Sequence, residues 1–380
     1  MNENFPNREP VIVRDQELHV VRRLPQNADI KVHAGERISG EHIIAKTDPR
    51  NLAVRIAIAD QLGVAPDDVA RHLLRQVGST FAAGEAMAKT RKGLRNTVVA
   101  SPASGTLLSI DPDTGVALLA PSGGGDVRSL VSGDVEYVDG RQSVAIRTVG
   151  SRLFGIVGIG PCVEGTLCIA VSGPGEEAQS AKIIPSMAGK IVVVGASLNA
   201  ATLRRLIEVG AVGAVAGGLV EREVSACFGM PTDDRLSPWR IGPSDLGIGD
   251  GMMTTLAIVA TEGFGSQPIT AEVFEFLKRF DGERMTLLTN TRLSGFLARP
   301  QLIHVNQDSL DDDAPAKPVP LTASTRVRIV DQSSLGASGN VSEKPKRVRR
   351  ADGISVDILS VATLDGKTRT VAANNVEIIA

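Results

Sequence analysis

Apolar and polar positions alternate at two different periods along this chain, and the change of period marks its central segment. In 189–219, GKIVVVGASLNAATLRRLIEVGAVGAVAGGL, Ile191–Val194 is a short β-branched run of the kind expected for a strand buried on both faces of a parallel sheet. Leu203, Leu206 and Ile207 then fall at i, i+3 and i+4, the stripe of a helix that begins near Ala200 with Ser197 or Asn199 as its cap. Gly210 stands where a helix ends, and Val212–Ala216 reads as the next buried strand before Gly217 and Gly218. The reading continues with a short helix over Glu221–Cys227, a strand over Leu256–Ala260, a helix over Thr270–Arg279, and strands near Met285–Leu288 and Leu302–Val305. Strands joined by crossover helices predict an open, parallel, Rossmann-like α/β sheet.

Before this segment the period is two. Residues 12–138 read as β-rich with a helical insertion at 66–74, and 139–190 continue in strands, Ser143–Thr148, Leu153–Ile159 and Thr166–Val171. Val32–Ala45 and Val77–Lys89 share a weak repeat of the form V-x-x-G-x-x-x-x-G-x-x-x-A-K. Asp308–Pro320, acidic and then proline-rich, is a linker. Beyond it Arg326–Val330 alternates again, and Leu364-Asp-Gly-Lys is a hairpin signal between Ser355–Thr363 and Thr368–Val371. The expected organisation is a β-rich unit over 1–138, strands leading into an α/β unit over 139–307, a linker over 308–320 and a small β module over 321–380.

Composition narrows the chemistry. The chain has 380 residues, 42% hydrophobic and 22% charged, as a soluble globular protein does. Aromatics make up only 3%, so stacking of bases on aromatic platforms is disfavoured, and a net charge of −2 leaves room only for a local basic patch. Cys162, Cys168 and Cys227 show no metal-ligand or disulfide spacing, and MNENFPNREP has no apolar stretch of a leader, so a reducing cytoplasm is the expected setting with neither membrane span nor metal.

Two candidate sites follow. In open α/β sheets ligands bind beyond the carboxyl ends of the strands. There Gly195, Ser197, Gly217, Gly218, Thr261, Glu262 and Gly263 offer backbone N–H groups, hydroxyls and a carboxylate to a small anionic ligand. The long Pro231–Gly251 segment would cover that edge. No GxGxxG, GxxxxGK[ST] or GxSxG motif is present, and no partner answers Glu262 as a catalytic group, so no catalytic residue is assigned. The second candidate is Lys344, Lys346, Arg347, Arg349 and Arg350, a basic loop in the C-terminal module able to contact phosphates.

Two resemblances add to this. The repeat, followed by SPASGTLLSI, resembles the barrel-sandwich hybrid of lipoyl and biotinyl domains over roughly residues 30–120. No lysine sits at the tight hairpin spacing those carriers use (Lys89 and Lys92 are the only candidates), so a structural sandwich without a prosthetic group is expected. VRIV, LGASGNV, VATLDGK and VAANNVEII resemble the KOW module, the SH3-like barrel of NusG-type transcription factors and some ribosomal proteins. That resemblance implies binding to RNA, ribosome or RNA polymerase. The expected function is a non-enzymatic, multi-domain binding protein contacting RNA or a nucleoprotein machine; an enzyme or sensor at the sheet edge, and a self-assembling structural protein, are the alternatives.

Overall fold

The computed structural model describes residues 10–25, 27–92, 95–122, 125–139, 143–228, 256–289, 291–293, 296–306, 321–331, 334, 336–343, 345–349 and 355–379. The chain is mostly β-sheet, 49% strand against 15% helix. One mixed sheet of eleven strands runs through it. In chain order these are β1 (Ile12–Arg23), β2 (Arg37–Ile38), β3 (Gly133–Asp139), β4 (Ser143–Phe154), β5 (Val157–Ile159) and β6 (Val163–Ile169), then β7 (Lys190–Leu198), β8 (Gly213–Leu219), β9 (Ala257–Phe264), β10 (Arg284–Leu288) and β11 (Gln301–Val305). Their spatial order is β5-β9-β8-β7-β6-β10-β11-β4-β3-β2, with β1 antiparallel along β4.

The parallel part expected from the sequence is present but small. Only β6, β7, β8 and β9 run parallel; β5 closes one side antiparallel, and β10, β11 and β4 extend the other. The sheet is therefore mixed, not the open parallel one the crossover pattern predicts, and it crosses position 138, where the sequence reading divides the chain. Long antiparallel neighbours from distant segments are what the local pattern does not reveal.

Among the described residues, five α-helices accompany the strands. α1 (Ile58–Leu62) and α2 (Val69–His72) belong to the N-terminal region, and α3 (Ala200–Val209), α4 (Glu221–Phe228) and α5 (Ala271–Arg279) to the central one. Asn199 caps α3, its carboxamide oxygen accepting from the Thr202 N–H at 2.9 Å, and Gly210 ends it at φ +78°. Leu203 and Leu206 of α3, with Val273, Phe276 and Leu277 of α5, pack on Ile191–Val194 and Ala257–Ala260 in one aliphatic core. The opposite face of the long sheet carries a second core of Leu18, Val20, Ile146, Leu288 and Ile303. Leu287 and Leu288 enter different cores, as the pleat requires.

Residues 54–121 form a unit with its own core of Ile56, Met87, Leu107 and Leu119, four strands paired in the order Val54–Ala57, Val116–Pro121, Gly105–Ile110, Thr80–Phe81, and a hairpin of Ala86–Lys92 with Arg95–Ala100. The repeat has a structural counterpart: Gly35 and Gly78 both take left-handed φ, +86° and +92°, and each precedes a two-residue strand and then a longer one, Ile43–Lys46 or Ala86–Lys92.

Six strands make the C-terminal module: β12 (Arg326–Ile329), β13 (Ser338–Val341), β14 (Lys346–Arg349), β15 (Ser355–Thr363), β16 (Thr368–Ala372) and β17 (Val376–Ile378). All pairings are antiparallel, in the order β14-β15-β13-β12-β17 with β16 on β15. The turn between β15 and β16 is the Leu364-Asp-Gly-Lys signal, Gly366 taking φ +79° and Thr363 N–H donating to the Lys367 carbonyl at 2.8 Å.

Candidate functional site

Each group proposed for the carboxyl edge of the central sheet is engaged inside the protein. The glycines that follow the predicted strands Ile191–Val194 and Val212–Ala216 lie within strands: β7 runs on to Leu198 and β8 to Leu219, with register shifts at Gly195 and between Ala216 and Gly218. Their smallness serves close approach of backbone. A Cβ on Gly195, which holds φ +84°, would lie 1.8 Å from the Glu176 carbonyl; one on Gly217 would lie 1.9 Å from that of Gln267, and one on Gly218 2.1 Å from that of Gly265. Segments 176–178 and 265–269 thus roof these strand ends, Ala196 N–H donating to Glu176 O and Gln267 N–H to Ala196 O.

The polar side chains of this set are satisfied as well. Ser197 is 3% exposed and bonds the Glu177 carboxylate, which also accepts from Ser266 Oγ at 2.7 Å; these two hydroxyls hold the Glu177 carboxyl below its usual range. Thr261 Oγ1 donates to the Ala216 carbonyl at 3.3 Å. Gly263, at φ +125°, continues β9 opposite Gly218. Glu262, 3% exposed, accepts from the Thr270 N–H at the start of α5 and from a guanidinium of the C-terminal module. The Pro231–Gly251 segment lies outside the described residues.

That guanidinium is the feature sequence reasoning missed. Among the described residues Arg328, on β12, is the largest side chain that is almost wholly buried. Its Nη1 donates to the Thr261 carbonyl and, at 3.3 Å, to Glu262; its Nη2 donates to Glu377 at 3.0 Å and to the Phe154 carbonyl at 3.4 Å; its Nε reaches Glu377 at 3.2 Å. Arg299 meets the same Glu377 oxygen at 2.7 Å and stacks over Phe154 at 4.6 Å. Beside the cluster Arg326 pairs with Glu272, Val11 N–H donates to the Ile378 carbonyl at 2.8 Å, and Ile379 enters the core of the central sheet. The module is seated against β9 just past the pair Val157–Ala260 that bounds β5, and Gly336 comes so close that a Cβ there would lie 2.1 Å from Glu262 O.

Searched against models of protein families, the chain matches none, and among curated proteins no sequence match is found. Its function is argued from its own residues.

The cationic stretch is a strand, not the loop the sequence predicts. Lys346, Arg347, Val348 and Arg349 form β14, all four exposed, paired with Ser355–Ile358 of β15. Adjacent cations in an extended strand point to opposite faces, which relieves their repulsion. Lys346 pairs with Glu343 at 2.8 Å and Arg347 with Asp357 at 3.7 Å, both in solvent. Lys344 and Arg350 lie outside the described residues. Lys89 is exposed, opposite Val98 and three residue pairs from the last pair of its hairpin, Lys92 with Arg95. Burial raises the Cys227 and Cys168 thiols, away from nucleophilic use. Among the described residues no cluster of three His, Cys, Asp or Glu side chains could hold a metal, and no helix is long and apolar enough to cross a membrane.

Proposed function

We propose that the protein is a multi-domain cytoplasmic binding protein whose C-terminal module contacts RNA or a nucleoprotein assembly through β14. The observation that carries this reading is the exposed row Lys346, Arg347 and Arg349 on a strand with β15 along one side, held on a module anchored to the body by Arg328. The order of β12–β17 supports taking the module as a KOW-like, SH3-type barrel. The 54–121 unit reads in the same way as a sandwich-hybrid-like platform, and β6–β9 with α3–α5 as a Rossmann-like centre. An anionic small molecule at the carboxyl edge is the weaker alternative, since Glu262 and Ser197 already have partners within the chain.

Binding of the full chain to single- and double-stranded RNA and to duplex DNA across a salt series tests this. Phosphate contacts predict that log K falls linearly with log salt, with a slope smaller by about one for each cation removed. Absence of binding at low salt, or binding unchanged when Lys346, Arg347 and Arg349 all become Ala, removes the proposal.

A further inference from the structure

The strand pair formed by β14 and residues 355–358 of β15 stands apart from the core of its module. That core begins at Leu359 and includes Val361, Val341 and Val327, whereas Val348, Val356 and Ile358 are outside it. Lys346, Arg347, Val348 and Arg349 are all exposed, although a strand lying on a core would bury every second residue. The pair is two-stranded up to Asp357, Ala372 of β16 lying beside Ile358, and β14 is exposed on both faces. Its register puts Arg347 and Arg349 on one face with Asp357, and Lys346 on the other with Val348, Val356 and Ile358. The two arginines are spaced about 7 Å along the strand. Cations thus stand on both sides of a thin blade.

We infer that this ribbon enters the groove of a duplex, so that the nucleic acid it prefers is double-stranded and of B form. The inference rests on the proposed phosphate contact of β14 and takes, of RNA or a nucleoprotein assembly, the duplex DNA of such an assembly as the ligand. A blade with cations on both faces can meet phosphates on both walls of a groove, whereas a single strand offers one backbone to one face. Binding of unpaired bases relies on aromatic platforms, and residues 321–380 contain no Phe, Trp, Tyr or His. The major groove of B-form DNA, about 12 Å wide, admits a two-stranded ribbon, while that of an A-form RNA helix is too narrow for side chains to enter. The ion pairs Lys346–Glu343 and Arg347–Asp357, whose cations are exposed, exchange for phosphate contacts at little cost.

The test is fluorescence anisotropy with the full-length protein and three probes of one sequence: duplex DNA, the single DNA strand and duplex RNA. Duplex DNA is expected to bind at least roughly tenfold more tightly than either of the others at equal salt. Lys346→Glu alone, and Arg347→Glu with Arg349→Glu, should each weaken duplex binding, because each strips one face; unchanged thermal midpoints show that the fold is kept. If the single strand or duplex RNA binds as well as duplex DNA, or if Lys346→Glu has no effect, the groove inference is overturned while the phosphate reading stands. If none of the three probes binds, both fall.

Discussion

Replacing Arg328 by Met keeps most of its volume and removes its charge and its donors. Among the described residues Glu262 then keeps the Thr270 N–H, at 3.1 Å, as its side-chain partner, in a site where it is 3% exposed. Glu377 keeps Arg299 at 2.7 Å, and the carbonyls of Thr261 and Phe154 lose their donor. Breaking a buried ion pair from one side costs about 3–5 kcal/mol, because it leaves a desolvated charge without compensation. The retained Arg299 places the expected loss within that span, not above it. Since about 1.4 kcal/mol is a factor of ten, the population with the module unseated should rise by a hundredfold to several thousandfold. The Val11 N–H reports this directly, since it is bonded across the junction to the Ile378 carbonyl. Its hydrogen exchange should accelerate in Arg328→Met, while amides inside the module, such as Val341 N–H on the Thr325 carbonyl, keep their protection. Adding Glu262→Gln should recover at least about 1 kcal/mol, because it removes the stranded charge. Exchange at Val11 unchanged by Arg328→Met would refute the claim that this cluster seats the module.

Two further outcomes follow from the structure. Gly217→Val forces side-chain atoms against the Gln267 carbonyl, which already lies 1.9 Å from an ideal Cβ, and should cost about 1–3 kcal/mol or more, read as a lower midpoint in denaturant; a midpoint equal to that of the wild type would contradict the close approach. The Thr363 hydroxyl and then Arg369 hold the Asp365 carboxyl down to about 2 from 3.8. Its folded pKa is depressed, so its contribution is complete above pH 3.8 and is lost as pH falls through about 2. Thr363→Val should move its titration, followed by carbon-detected NMR, back toward 3.8; an unmoved titration would discard this assignment.

What the sequence discloses about this fold is what is local. Ile191–Val194, the Gly210 stop and the Leu364-Asp-Gly-Lys turn are each decided within a few residues and found where the pattern places them, and of the two caps offered, Ser197 and Asn199, the second is used. The partner of β4 is not local: Val20 pairs with Ile146 across more than a hundred residues, and nothing in period-two alternation names the strand on the other side. Glycines misled for a different reason. In Gly195 and Gly217 the absent side chain makes room for a neighbouring backbone, and sequence alone does not separate that need from a turn. For the site, the alternation in Arg326–Ile329 told correctly that Val327 and Ile329 face the core of the module. It did not tell whether Arg328 faces water or another part of the chain. The cations of 346–349 were legible as a group; their arrangement on two faces of a ribbon depends on pairing with 355–358, which lies beyond the basic stretch itself.

The seating of the module against β9 also sets a timetable for synthesis. Thr261 and Glu262 are made more than a hundred residues before Ile378 and Ile379, and Arg328 lies between them. At about 5–20 residues per second, the bare backbone edge and the unneutralised Glu262 wait roughly 5–25 s on the ribosome before their cover exists. During that interval a nascent chain carries an open strand edge facing its neighbours on the same message. Rare codons or pauses placed between 264 and 379 would prolong that exposure, and would be expected to lower the yield of folded protein without altering any residue in it.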